Sequence, residues 1–284
     1  MTGRFAGRRA LVTGASRGIG AGIAERLAAE GADVAITART LRAHESLPGS
    51  LTETAERLDR YGGKVATVVA DLTDDEERAL VVPEAVEALG GPVDILVNNA
   101  AAAIYGPLDD IPLRRRRIVF DANVHAPLDL AQAVIPAMRQ AGQGWIVNVT
   151  SRAAQPWPGP PFELGPNGTT IALYGASKAA LNRITNGLGA ELVGTGIRVN
   201  AIEPRAAVLT EGARELVGKT LRPDQVESME EMVEAVVALC DCPEEVTGQA
   251  LVSLDLLADW GLAVHGLDGH GDGDGDGDRD GGER

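Results

Sequence analysis

The sequence predicts one doubly wound α/β domain, a seven-stranded parallel sheet with helices on both faces, spanning residues 1–265. Two observations carry that expectation. From Arg9 onward, short aliphatic and β-branched runs alternate with longer amphipathic stretches, which is the rhythm of repeated βαβ units. The 284 residues, 44% of them hydrophobic, can bury one large core, and seven strands leave little chain for a second domain.

The strand runs are "RALVT" (9–13), "DVAIT" (33–37), "KVATVVA" (64–70), "DILVN" (94–98), "WIVNVTS" (145–151), "IRVNAIE" (197–203) and "ALVSL" (250–254). Their continuous apolar character, with little alternation, is that of strands covered on both faces. Between them, helices are expected from about Ile19, through "LTETAERLDRYG", through "DDEERALVVPEAVEALG", from Arg114 to Gln140, after Tyr174, and around Glu230 to Cys240.

Charge narrows the partners. The net charge is −15; the last segment, from Gly266, holds seven acids against two arginines, and the remaining 34 acids and 24 bases leave the body at −10. Nucleic acid is therefore not an expected partner. No 18-residue apolar run occurs, and "MTGRFAGRRALVTG" lacks a long apolar stretch after its basic residues, so a soluble cytoplasmic protein without membrane association is expected. Cys240 and Cys242, one residue apart, suit neither a bridge nor a structural metal site and are read as reduced thiols. Residues 266–284, rich in Gly and Asp, offer little to bury and are expected to be a disordered acidic tail. Asp272, Asp274, Asp276, Gly277 and Glu283 match calcium-loop spacing, but Arg279 stands where an apolar packing residue is wanted, and no metal site is expected.

The first strand runs into "TGASRGIG", Thr13 to Gly20. Gly14, Gly18 and Gly20 let the backbone approach a pyrophosphate, and the turn residues Ser16, Arg17 and Ile19 lead into a helix whose amino end favours anions. A tight β-to-α turn without a ligand is the alternative, disfavoured by its place in the first βαβ unit. An NAD-preferring site commonly places an acid at the end of the second strand. Here "AITART" has Arg39 instead, and with Arg17 it offers two guanidiniums to a 2′-phosphate, so NADP(H) is the expected cofactor.

In "LYGASKAALNR", Tyr174 and Lys178 lie four apart and share a helix face. An ammonium one turn from a phenol, beside a cationic oxidised nicotinamide, favours the phenolate and suits proton exchange with an alkoxide. Ser151 closes the strand "WIVNVTS" at the carboxyl edge of the sheet, where its hydroxyl can meet a carbonyl. Its other reading is a turn cap.

Taken together and in this order, "TGASRGIG", "ADL" at 70–72, "VNNAA" at 97–101, Asn123 in "FDANVHAP", Ser151 and "YGASK" resemble the short-chain dehydrogenase/reductase family over nearly all of Arg8 to Leu254. The resemblance implies a Rossmann-fold NAD(P)-dependent oxidoreductase. It puts Asp71 and Leu72 against the adenine, Asn98 and Ala100 along the cofactor cleft, and Pro204, Ala207 and Val208 near the nicotinamide. It makes Tyr174 the general acid/base and has Lys178 bind the nicotinamide ribose and lower the tyrosine pKa. Ser151 would orient the carbonyl, and Asn123 would hold a water linking Lys178 to solvent. The text after the second strand, "RTLRAHESLPGSLTETAERLDRYGGK", loosely resembles hydroxysteroid dehydrogenase-like members.

The chain departs from the family pattern in three places. Arg205 stands where Pro-Gly usually follows the sixth strand, and an arginine would be strained there if positive φ were required. The end reads "LDLLADWGL" rather than "DGG", so a homodimer through the helices around Asp121 and Ala180 is expected, with a homotetramer as the alternative. The stretch "QPWPGPPFELGPNGTT", 155–170, lies between Ser151 and Tyr174 as an insertion beside the site. Pro156, Pro158, Pro160, Pro161 and Pro166 suit a semi-rigid flap there, and Trp157 and Phe162 a wall over the substrate or a packed surface loop. Arg114 to Arg117 is read as a solvated or interface face paired with Asp109 and Asp110.

The function expected is interconversion of a small-molecule ketone or aldehyde with its alcohol. A 3-oxoacyl-thioester reductase and a non-catalytic dinucleotide-binding sensor are the alternatives.

Overall fold

The computed structural model describes residues 3–42, 48–164, 167–208, 210 and 226–270. Seven parallel strands form the main sheet: β1 (Arg9–Thr13), β2 (Asp33–Ala38), β3 (Val65–Val69), β4 (Ile95–Asn98), β5 (Gly144–Val149), β6 (Ile197–Glu203) and β9 (Ala250–Val252), in the order β3-β2-β1-β4-β5-β6-β9. Residues of the central strands β1, β2, β4 and β5 are buried on both faces, which is why their sequences do not alternate. The edge strand β3 does alternate, and Val69 is exposed.

One face is covered by α1 (Gly18–Ala29), α2 (Leu51–Leu58), α7 (Met229–Leu239) and α8 (Ser253–Trp260), around a core that includes Ile23, Leu27, Val147 and Val236. The other carries α3 (Asp75–Leu89), α5 (Ala126–Ala141) and α6 (Ala172–Glu191), on Leu11, Leu96, Ile146 and Val199. Local chemistry sets the helix starts. Ser50 caps α2, Asp74 accepts from Glu76 N and Glu77 N at the start of α3, and Ser228 with Glu231 forms a capping box on α7. Such a cap contributes about 1 kcal/mol. Trp145 is fixed between the guanidiniums of Arg8 and Arg198, 4.1 and 4.9 Å from its ring centre, and donates to Cys242 O.

Two boundaries differ from expectation. The helix expected over 114–140 is divided into α4 (Leu113–Phe120), a π turn (Asp121–His125) and α5. The last strand ends at Val252, because Ser253 already begins α8. A small parallel pair, β7 (Ala207–Val208) with β8 (Val226–Glu227), was not expected at all.

The chain stays packed beyond residue 265. Leu267 lies against the core, and Gly266 O accepts from Arg26, whose buried side chain also pairs with Glu234 at 3.0 Å. The rest of the acidic tail, with its calcium-like spacing, lies outside the described residues. Cys240 and Cys242 are unbridged and buried. Among the described residues no helix is long and apolar enough to cross a membrane, and no group of three or more acidic, His or Cys side chains could hold a metal ion.

Candidate active site

The order β3-β2-β1-β4 reverses its winding between β1 and β4, and a cleft of about 1060 Å³ opens at the carboxyl ends of these parallel strands. The turn after β1 supplies Gly14, Ser16, Arg17, Gly18 and Ile19; β2 supplies Ala38 to Thr40; β3, Ala70 to Thr73; β4, Asn99 to Ile104. Ile118 and Ala122 add the inner side of α4 and its π turn.

Glycine is required at two positions of this turn for different reasons. Gly14 has φ +66, and a Cβ there would lie 2.7 Å from Ala100 Cα. Gly20 is not on the wall: its Cβ would come 2.4 Å from Asn99 Nδ2, so its role is to let α1 close on the turn. Asn99 is the pin. Its Nδ2 donates to Thr13 O and Gly14 O, while Thr13 Oγ1 accepts from Asn99 N and Ala100 N.

The residues present fit a dinucleotide. Unlike α2, α3 and α7, α1 has no side-chain cap and no acid in its first turn, so its leading amides face the cleft uncompensated. Arg17 Nη2 donates to Gly49 O, and Arg39, 72% exposed along its side chain, approaches Asp71 at 3.7 Å. Burial pushes the Asp71 carboxyl up, but hydrogen bonds from Thr73 and the Arg39 charge outweigh it and hold the group below its ordinary value. Asp71 and Leu72 sit on the cleft wall.

Asn98 does not. Its side chain is buried behind the wall, donating to Asn148 Oδ1 at 2.9 Å and Pro127 O at 3.3 Å. Asn148 in turn donates to Thr185 Oγ1 of α6 at 2.8 Å. This buried polar line, β4 to β5 to α6, fixes the helix that carries Tyr174 and Lys178.

Lys178 is buried, with Nζ donating to Val149 O at 2.7 Å at the end of β5 and lying 5.9 Å from the Tyr174 ring centre. Burial pushes its ammonium down from 10.5 to about 8. Burial also pushes the Tyr174 phenol up to about 12; Tyr105 adds to the rise, and a hydrogen bond with Ser151 opposes it. In this state, therefore, burial outweighs the expected depression of the tyrosine.

Ser151 is the turn cap that one of its two readings expected, and it lies against Tyr174. Its Oγ accepts from Ala153 N at 3.2 Å as the cap of a short 3-10 turn (Arg152–Ala154), and it also bonds Tyr174. The backbone bond occupies an acceptor position and leaves the hydroxyl proton to donate.

Asn123 lies in the π turn with its amide fully engaged by protein. Oδ1 accepts from Ala102 N, and Nδ2 donates to Ala102 O and Ser177 Oγ. Both Nδ2 protons are used within the protein, so the amide clamps the chain after β4, and a water here would donate to the second acceptor position of Oδ1. Ser177 Oγ passes the link on, donating to Tyr174 O.

Beyond β6, among the described residues, only Thr210 is on the cleft wall; Pro204, Ala207 and Val208 are not. Arg205 is unstrained, since no described non-glycine residue has positive φ. The turn is held another way. Glu227 Oε2 and Ser253 Oγ accept from Arg205 N, Glu227 Oε2 reaches Ala206 N at 3.5 Å, and the Arg205 side chain pairs with Asp255.

Trp157 is half-buried and Phe162 is 59% exposed, and neither lines the cleft. Arg114 to Arg117 are exposed, and they make no ion pair with Asp109 or Asp110. Tyr105 was missed by the sequence reading altogether. Its ring meets that of Tyr174 edge-on, centres 6.1 Å apart, and no periodicity or motif marks it.

The sequence model of the short chain dehydrogenase family matches residues 8–220. Among curated proteins, the chain is 32% identical over 267 residues to hydroxysteroid dehydrogenase-like protein 2 of Bos taurus, covering 92% of this chain and 60% of that protein. The chain thus spans about 60% of the length of that relative. Among solved structures it is similar to a short chain dehydrogenase from Mycobacterium thermoresistibile, with TM-score 0.77 and 29% identity over 91% of this chain and 89% of the other. It is also similar to a 3-oxoacyl (acyl-carrier-protein) reductase from Agrobacterium tumefaciens with NADP bound, with TM-score 0.74 and 27% identity over 87% and 93%. With the motifs in order around a cleft at the strand ends, the chain belongs to the short-chain dehydrogenase/reductase family of Rossmann-fold oxidoreductases.

Proposed function

We propose that the chain is an NADP(H)-dependent oxidoreductase that interconverts a ketone or aldehyde with its alcohol, Tyr174 acting as general acid/base. The observation that carries this reading is the cluster of Ser151, Tyr174 and Lys178 on β5 and α6, with the phenol bonded to the serine and the ammonium beneath its ring.

A nicotinamide dinucleotide held in this cleft would supply or take up the hydride. The chain's own residues do the rest. Ser151, its Oγ oriented by Ala153 N, donates to the substrate oxygen and holds it beside the Tyr174 hydroxyl. Tyr174 gives its proton to that oxygen as carbonyl becomes alcohol and takes it back in the reverse direction. Lys178 keeps a positive charge near the ring, which favours the phenolate once the proton has left. Arg17 and Arg39, both on the cleft wall, would hold the 2′-phosphate, and the uncapped amides of α1 would hold the pyrophosphate.

The thioester alternative has one feature in its favour. Four exposed arginines head α4, whose inner side lines the cleft, and they are a suitable surface for an acidic carrier.

The test is a reductase screen of aldehydes, diketones, polycyclic ketones and acyl thioesters with NADPH and NADH. The expected result is turnover of at least one class with kcat/KM at least tenfold higher for NADPH, and Arg39→Asp reversing that preference. A clear NADH preference in the wild type removes the phosphate assignment, and cofactor binding without turnover across the panel favours the sensor.

A further inference from the structure

We propose that Tyr105 is a positioning residue for Tyr174: its ring, clamped on a short rigid loop, fixes the Tyr174 ring and shuts water out from its side of the phenol. This deepens the reading of Tyr174 as the acid/base and rests on it for its kinetic part.

Tyr105 stands between two clamps. At one end Asn123 grips both backbone groups of Ala102, at 2.7 and 3.1 Å. At the other, Gly106 N donates to Thr170 O at 2.9 Å, and Thr170 belongs to the 3-10 turn (Gly168–Ile171) that leads directly into α6. Ile104, just before the tyrosine, packs on Ile111, Val119 and Leu173. Leu173 is the neighbour of Tyr174, so the loop and the catalytic helix share one small apolar cluster.

The edge-on contact, 63° between ring planes, is therefore set by the backbone on both sides and not by a flexible side chain alone. The Tyr105 hydroxyl has no hydrogen-bond partner among the described residues, so the ring is the part with a structural task. Removing the ring opens a gap beside a phenol whose ionisation is governed mainly by burial. Water entering there stabilises the phenolate.

The chain has only three tyrosines, Tyr61, Tyr105 and Tyr174, which makes the effect directly readable. In a Tyr61→Phe background, Tyr105→Phe and Tyr105→Ala each leave Tyr174 as the sole phenol. Its ionisation is followed by tyrosinate absorbance after pH jumps, read before the chain unfolds. The Phe variant, which gives up only the Tyr105 charge, should titrate higher than the Ala variant by about 0.5 or more. Tyr105→Ser, which also removes the ring and its volume, replaces Ala if that variant does not fold.

In steady state on a carbonyl that the wild type reduces, Tyr105→Ala should lower kcat about tenfold with KM for NADPH within twofold, and Tyr105→Phe should restore kcat. Equal titration of the Phe and Ala (or Ser) variants overturns the proposal. So does a Phe variant as impaired as Ala, which would assign the role to the hydroxyl. A wild type with no turnover defeats the acid/base reading instead, while the titration still decides whether Tyr105 shields Tyr174.

Discussion

At the scale of single residues, Lys178 has the most exacting position. A charged ammonium is held in a buried site with one backbone carbonyl as partner, and the cost shows in its pKa, lowered to about 8 from 10.5. Between those two values the unfolded chain binds a proton that the folded chain does not, so stability rises as pH climbs through this window; below pH 8 the whole cost is present. Lys178→Met should accordingly raise stability at pH 7 by on the order of 2 kcal/mol, after allowing for the hydrogen bond lost at Val149. Denaturant melts at several pH values check it: the advantage should shrink from pH 8 towards 10.5. A pH-independent difference would contradict the buried-ammonium account. Tyr174 has the opposite sign at higher pH, since the folded chain keeps its proton between 10 and about 12 while the unfolded chain loses it, and stability falls there. For turnover, a protonated Tyr174 at neutral pH suits carbonyl reduction. Alcohol oxidation, which needs the phenolate, should speed up with rising pH, and a kcat profile measured in both directions would show the asymmetry.

At the scale of elements, the turn after β6 shows how a missing glycine is accommodated. Glu227, brought up by the β7–β8 pair, accepts from Arg205 N and Ala206 N in a buried position where burial raises its own pKa. Glu227→Ala should destabilise the chain by about 1–3 kcal/mol, because Ala206 N loses its acceptor and Arg205 N keeps only Ser253 Oγ. It should also raise KM for NADP(H) several-fold, because Thr210 on the cleft wall follows this turn; an unchanged melting point and KM would leave the carboxylate without that task. The proline-rich insertion is anchored at its start by a Gln155 hydrogen bond to Glu203, the last residue of β6, and near its end by Thr170 to Gly106. Replacing residues 156–167 with a short Gly-Ser turn should raise KM for bulky carbonyls selectively and leave KM for NADPH alone. Equal effects on small and bulky carbonyls would make the loop structural.

At the scale of the whole molecule, the sheet was legible because the doubly covered central strands write continuous apolar runs, while β3, which alternates, was marked by its β-branched residues and its place in the βαβ rhythm. Where the reading failed, the missing information was three-dimensional. Asn98 and Asn99 are adjacent and chemically identical, and only the strand's facing decides that Asn99 pins the glycine turn while Asn98 braces α6. The π turn at Asn123 and the Tyr105 contact depend on packing across elements far apart in sequence. Ser151, Tyr174 and Lys178 could be named from sequence because their spacing and order are themselves the signal, but the balance of burial against charge that sets their protonation could not. The account's central claim, that this site performs hydride chemistry with Tyr174 moving the proton, is tested most directly by stopped-flow loss of NADPH absorbance for wild type and Tyr174→Phe on the best carbonyl of the panel. The prediction is a fall in rate of about a hundredfold or more with NADPH affinity within threefold. A Tyr174→Phe variant that turns over like the wild type would contradict it.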